Sequence, residues 1–298
     1  MKAATPWNEG RLNSFTERHR LLFGQMYEDA AIEQRAFQRK GRIFCIASAG
    51  NTAIWLSHGH KVVACDINPM QLAYAERRAN GRPPETGDAE RIMCIMRTFK
   101  PLIGWREGVV REFLALSNIH EQLLFWSKNL DTTRFRIAFD AFMSRLMLGV
   151  MYSRPLLSSL PLKFGTALRK RLDRGLAHHP NSTNPYMRAL LLGECLSEPP
   201  AIAANIQFIH GDAAAVLEAC DPASFEGFAL SNVLDGATLQ YRERLAQAVR
   251  HAATHDAVVV LRSFAEPSST NDTNHPERDR TMLWGMVDIR NVHTCEAG

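Results

Sequence analysis

The chain is poor in the features that most directly reveal a function. Its six cysteines, Cys45, Cys65, Cys94, Cys195, Cys220 and Cys295, form no CxxC pair, so the usual zinc-site spacings are missing. His58, His60, His178 and His179 have no carboxylate or cysteine at a spacing that completes a ligand set, and no metal is expected. No run of eighteen uninterrupted apolar residues occurs, which excludes a membrane-spanning helix of ordinary length. The opening "MKAATPWNEG" lacks the apolar core of a signal peptide, and the expectation is a cytoplasmic protein. Charge of one sign is scarce too. The formal net charge is +4 and the basic residues are scattered. The densest basic cluster, "LRKRLDRG" (168–175), has the period of a solvated helix face, so no nucleic-acid partner is expected.

What is present reads as a globule. Apolar residues make up 46% and charged residues 22% of 298, enough to bury a core without disulfides. "RIFCIA" (42–47) and "KVVACD" (61–66) are short apolar runs of the kind that form buried strands, and Cys45 and Cys65 act there as small hydrophobes. "NTAIWLSHG" and "NPMQLAYAERRAN" read as the helices that follow them, with Pro69 suited to a first turn. Strand patterns return only at "NIQFIHGDA", "GFALSNVLD" and "AVVVLRSF", and the tail "TMLWGMVDIRNV" offers a last strand or two. Between them lie helical patterns, including a Met-rich stripe, "FMSRLMLGVMY" (142–152), expected to be core. A helix is expected before the first strand, with Leu22, Met26, Ala30 and Ile32 along one stripe and a break near Gly24. "EPSSTNDTNHPERD" (266–279) reads as a polar loop and a candidate for disorder.

The alternation predicts an α/β fold with a parallel sheet covered on both faces. The expected organisation is an N-terminal helix and the first half of the core over 1–80, a helical insertion or lid over 81–200, and the second half of the core over 201–298. Such sheets bind ligands beyond the carboxyl ends of their strands, at the switch point.

Three strand ends carry the pattern of a nucleoside site. The first closes in Ser48, Ala49 and Gly50, small residues that let backbone approach a ligand where the next helix begins. The second closes in Asp66, sixteen residues after Gly50, near the separation of about twenty at which an acid accepts from ribose hydroxyls. The third closes in Asp212, placed to accept from an adenine amino group. One glycine, instead of three spaced ones, leaves little backbone room for a pyrophosphate and favours an adenosine ligand such as S-adenosylmethionine over NAD.

"FGQMYED", "CIASAGN", "ACDINPMQL", "NPYMRALLLGE", "FALSNVLD" and "VVVLRSFAEP" occur in an order that resembles the S-adenosylmethionine:diacylglycerol 3-amino-3-carboxypropyltransferases, the enzymes that make the betaine-lipid precursor. The likeness extends from Phe23 to Pro267, with "DINP" and "NPY…G" its more specific parts. It implies a class I methyltransferase-like, Rossmann-like sheet with a helical insertion, and S-adenosylmethionine held by Gln25, Ser48, Ala49, Gly50, Asn51, Asp66, Ile67, Asn68, Gln71, Gly211, Asp212, Ala213, Ser231, Asn232 and Arg262. The chain is compact for the lipid enzymes and carries Gly236 where they tend to carry a tryptophan. Compact relatives, the azetidine-2-carboxylate synthases of bacterial secondary metabolism, close the arm of S-adenosylmethionine on its own amine.

That chemistry attacks the γ-carbon of the amino-acid arm and releases methylthioadenosine, where a methyltransferase attacks the methyl group. In-line alignment is worth of order 7–11 kcal/mol at best, so the arm must be held as firmly as the nucleoside. Cyclisation also needs a group to take the proton of the α-amine. Tyr27, Glu28, Asp29 and Asp235 are the candidates, with Tyr27 and Asp235 favoured. Asn184 and Tyr186 are candidates to hold the carboxylate or face the sulfonium, where an aromatic ring contributes ~0.5–2 kcal/mol. Arg262 is a candidate partner for the substrate carboxylate and equally for a structural ion pair. The expectation is cyclisation of S-adenosylmethionine. The alternatives are transfer of the arm to an acceptor such as diacylglycerol, with membrane contact only if the acceptor is a lipid, ordinary methyl transfer, or noncatalytic nucleoside binding.

Overall fold

The computed structural model describes residues 5–9, 19–196, 205–267 and 273–293. β1 (Arg42–Ile46) and β2 (Lys61–Asp66) form where the apolar runs predicted them. Their side chains alternate between two cores: Phe44, Val63 and Cys65 enter one, and Ile43, Cys45, Val62 and Ala64 enter the other. That period of two is what a strand covered on both faces requires. The remaining strands are β3 (Ile206–His210), β4 (Phe225–Ala229), β5 (Ala253–Ser263) and β6 (Met286–Asn291). They make one six-stranded sheet in the order β3-β2-β1-β4-β5-β6. β1 to β5 are parallel, and β6 runs antiparallel to β5. The fold is therefore α/β with a mostly parallel sheet, compatible with a Rossmann-like architecture.

α1 (Ala31–Ala36), α2 (Asn51–Ser57) and α3 (Pro69–Ala79) cover one face. Asn68 caps α3 by accepting from the Met70 N–H, with Pro69 in the first turn as the sequence predicts. The other face is covered by α12 (Ala213–Glu218) and α13 (Leu239–Ala252). Between α3 and β3 lie α4 (Asp88–Thr98), α5 (Glu107–Ala115), α6 (Ile119–Phe125), α7 (Thr133–Phe142), α8 (Arg145–Met151), α9 (Arg154–Ser159), α10 (Phe164–Leu176) and α11 (Pro185–Leu192), with no strand among the described residues. This helical block has its own core around Trp105, Phe113, Trp126 and Phe135.

Three local expectations change. Residues 21–29 are not helical, although Leu22, Met26, Ala30 and Ile32 are all buried. The Gly24 carbonyl accepts from Tyr74 Oη at 2.6 Å and Arg78 at 3.0 Å, and its N–H donates to Glu90 at 2.7 Å, so side chains from α3 and α4 take the bonds a helix would have used. The Met-rich stripe is not all core: α8 buries Leu148 and exposes Leu146, Met147 and Val150. The basic cluster is not all solvated. Arg171 is buried and donates to the carbonyls of Leu283 at 2.6 Å and Phe264 at 2.8 Å and to Glu266. The tail supplies one strand, β6, among the described residues. Part of the 266–279 loop lies outside the described residues, as does Cys295.

Candidate functional site

The chain runs outward from β1 through β2 to β3, returns, and runs outward on the other side through β4 and β5. At the carboxyl ends of β1, β2, β3 and β4, where that reversal falls, lies an open cleft. Ser48 lines it from β1, Asp66, Ile67, Asn68 and Gln71 from β2 and α3, Gly211, Asp212 and Ala213 from β3, and Ser231 and Asn232 from β4. These ten positions, scattered through the sequence, were expected together.

Asp66 is the best-placed of them. Its two oxygens accept from the N–H groups of Ser48, at 3.0 Å, and Asn68, at 2.9 Å. Each oxygen keeps lone-pair capacity for a ligand hydroxyl. Burial pushes this carboxyl up to about 6, against the pull of those two N–H bonds. Ser48 sits at φ 43°, a left-handed conformation that non-glycine residues seldom adopt. Its N–H is held by Asp66 and its carbonyl accepts from Gln71 Nε2 at 3.0 Å. Gly50 stands at φ 88°, and a Cβ there would meet Ala75 of α3 at 3.3 Å, so glycine lets α2 and α3 meet behind the turn. Ala49 is buried against Met26 and Tyr74, and Asn51 accepts from the Met26 N–H at 2.9 Å. These three residues shape the turn without lining the cleft. Asp212 lines the cleft with its carboxylate already engaged. It caps α12 through the Ala215 N–H, accepts from Tyr241 Oη at 2.7 Å and pairs with Arg244 at 3.3 Å.

The residues expected to do chemistry lie elsewhere. Tyr27 Oη accepts from Gln25 Nε2 at 3.0 Å, and Gln25 Oε1 in turn accepts from the Leu196 N–H at 3.0 Å. Burial pushes the Tyr27 hydroxyl up to about 12, and neither residue lines the cleft. Asp235 is buried and satisfied: it accepts from Ser263 Oγ at 2.5 Å, the Phe264 N–H at 3.1 Å and Asn232 Nδ2 at 3.2 Å. Asn184 caps α11 and donates to the Arg280 carbonyl at 2.8 Å. Tyr186 donates to the Glu28 carbonyl at 2.9 Å, and its ring carries the Arg280 guanidinium 5.6 Å from the centroid. Arg262 is fully buried among Glu33, Asp279 at 2.9 Å and Glu28 at 3.6 Å, an internal ion cluster away from the cleft lining. All four tie distant segments together for the same reason: polar groups this deeply buried need fixed partners.

Three features were missed. Thr5, Trp7, Leu22 and Phe23 wall the cleft from the N-terminal segment, with the Trp7 and Phe23 rings 6.3 Å apart. The Trp7 indole N–H is buried and has no hydrogen-bond partner among the described residues. Ile46, Cys65, Val233 and Tyr241 complete the lining. Behind Ser231 stands Glu28, one of the four residues expected as candidate proton acceptors, buried and accepting from the Ser231 hydroxyl. Burial, opposed by Arg262, pushes the Glu28 carboxyl up to about 7. A lone Trp in the polar stretch "ATPWNEG" was the one available signal for the N-terminal wall.

Among the described residues no three histidine, cysteine, aspartate or glutamate side chains converge as a metal site, and no helix is long and apolar enough to cross a membrane. Comparison with protein-family models, with curated proteins and with solved structures gave no match.

Proposed function

We propose that the cleft binds S-adenosylmethionine and that the protein is an enzyme directing attack at the γ-carbon of the aminocarboxypropyl arm, closing it to azetidine-2-carboxylic acid with release of methylthioadenosine. The observation that carries this reading is the cleft's polarity at two separate strand ends. Asp66 offers a carboxylate for ribose hydroxyls at the tip of β2, and Ser231, backed by the buried Glu28, offers a hydroxyl acceptor for an ammonium beyond β4. A nucleoside carrying a cationic amino-acid arm is complementary to both. Trp7 and Phe23 supply aromatic faces in the same cleft, the surroundings a sulfonium favours. The turn after β1 has a single glycine, which suits a ligand without phosphates. The resemblance of the strand-end motifs to aminocarboxypropyl enzymes supplies the reaction class, and with it the methyltransferase-like refinement of the fold.

One observation favours a second reading, transfer of the arm to a lipid hydroxyl. Leu146, Val150 and Leu162 are 83%, 60% and 82% exposed on and beside α8 and α9, with Arg145, Arg154 and Lys163 among them. The Pro155 carbonyl of α9 lies against Gly236, four residues from the cleft's Asn232. An apolar, basic surface beside the mouth is what a membrane-held acceptor would need.

Incubating the purified protein with S-adenosylmethionine, alone and with diacylglycerol vesicles, and identifying products by mass spectrometry separates these outcomes. Methylthioadenosine with a cyclic C4 imino acid supports cyclisation, and turnover only with vesicles supports transfer. S-adenosylhomocysteine, or binding without any product, overturns both.

A further inference from the structure

Ser231 is one of two non-glycine residues that line the cleft in a left-handed conformation, at φ 52°. Its backbone is pinned there, because its carbonyl accepts from the Arg262 N–H at 2.8 Å. Its hydroxyl donates to Glu28. A hydroxyl whose proton is committed to a carboxylate behind it turns its lone pairs the other way, toward the cleft. Such strain persists only where surrounding structure over-determines it, and it clusters at working sites.

We propose that Ser231 is the catalytic contact for the α-ammonium of S-adenosylmethionine and that Glu28 is the positioning residue behind it that receives the proton through the Ser231 hydroxyl. This rests on the reading of the cleft given above and deepens it by naming the proton path. The step balances without a co-reactant. The ammonium gives a proton to Ser231 Oγ as the serine's own proton moves to Glu28. The freed amine lone pair forms the N–C bond at the γ-carbon. The C–S bond breaks with its electrons going to sulfur, which leaves as neutral methylthioadenosine. The ring is released as a zwitterion, and Glu28 holds the one surplus proton until it reaches solvent.

The surroundings of Glu28 suit that task. Arg262 from β5 faces it at 3.6 Å and favours its ionised form, while Glu33 of α1 and Asp279 before β6 oppose that, and the buried Cys45 thiol of β1 lies in the same field. Burial outweighs the arginine, so the carboxyl titrates near neutrality and not near its ordinary value. An acceptor in that range is matched to an α-amine, whose ordinary value is about 7.7–8.0. Asp66 at the other end of the cleft is the second titrating carboxyl that a pH series meets.

Two variants test this: Glu28→Gln, which keeps shape and removes the charge, and Ser231→Gly, which accepts a positive φ and removes the hydroxyl. Affinity for S-adenosylmethionine and for methylthioadenosine, which lacks the arm, is measured by calorimetry from pH 5.5 to 8.5, with single-turnover release of methylthioadenosine alongside. In the wild type, affinity for S-adenosylmethionine rises through a step near pH 7 that methylthioadenosine does not show, while any step near pH 6 from Asp66 is common to both ligands. E28Q abolishes the upper step, leaves methylthioadenosine affinity intact and slows turnover by roughly 10²–10⁴-fold. S231G slows turnover comparably. If E28Q keeps the step and the rate, the relay is wrong while the cleft reading stands. If S231G turns over normally, Glu28 reaches the amine without the serine and the path through Ser231 is wrong. If the wild type binds neither ligand, the reading of the cleft fails and the relay falls with it.

Discussion

Gln71 holds Phe23 with both ends of its amide: Nε2 donates to the Phe23 carbonyl at 2.8 Å and Oε1 accepts from the Phe23 N–H at 3.2 Å. The same side chain also accepts from the Leu22 N–H at 3.0 Å and donates to the Ser48 carbonyl at 3.0 Å. One buried glutamine thus fastens the N-terminal wall of the cleft to the turn that closes β1. Gln71→Glu keeps the acceptor and loses the donor. We expect it to cost about 1–3 kcal/mol in urea denaturation and to weaken nucleoside binding. Unchanged values for both would mean that the clasp is not needed.

Asp66→Ala should weaken binding of S-adenosylmethionine and methylthioadenosine alike by roughly 1–3 kcal/mol. Because the folded Asp66 carboxyl is pushed up to about 6, its ionised, accepting form disappears as pH falls through that value. Affinity of the wild type should fall with it. Asp66→Asn should be flat over the same range in equilibrium dialysis.

Glu28 makes a stability prediction independent of any ligand. Its carboxyl moves from an ordinary 4.5 to about 7 on folding. The folded chain therefore binds more protons than the unfolded one between those values, and stability drops as pH rises from about 4.5 to 7. Glu28→Gln removes this slope. Urea midpoints at pH 5 and pH 8 should converge for the variant relative to the wild type, which loses more on the way up. Equal differences at both pH values would mean that Glu28 does not titrate there.

Arg262 counters three buried acids, Glu28, Glu33 and Asp279. Replacing it with methionine leaves them without compensation, and a loss of about 3–5 kcal/mol is expected. Tyr27→Phe removes only an acceptor for Gln25 outside the cleft, so ligand affinity and product formation should remain as in the wild type. An active-site role for Tyr27 would show itself as lost turnover.

Gly236 stands at φ 73°, and a Cβ there would lie 2.6 Å from the Pro155 carbonyl oxygen. Gly236→Trp, the residue the resembling lipid enzymes tend to carry, should lower the melting temperature sharply, and even Gly236→Ala should cost upward of about 1 kcal/mol. A well-folded tryptophan variant would require α9 to move away.

The sheet was legible in the sequence because burial on both faces leaves short apolar runs that little else produces. The rim was legible because small and acidic residues at successive strand ends have few other uses. The chemistry was less so. Asp235 and Arg262 have the type and place of substrate-binding groups, yet they bind Ser263 and Glu33, partners that only tertiary packing selects. The spacing of Leu22 and Met26 imitates a helix, and nothing local reveals that Gln71, Tyr74 and Glu90 hold that stretch by its backbone. Glu28 was open to reading as a solvated helix residue because its hydroxyl partner lies 203 positions away.

The ion cluster behind the cleft joins Glu28, Arg262 and Asp279, residues far apart in the sequence. A ribosome delivers the first of them long before the last. The rim built by β1 and β2 can gather from nearby contacts, but its acidic backing stays unneutralised until Arg262 is in place. Closing that backing therefore waits on contacts of long sequence separation, which form late because their loop-closure entropy must be met first.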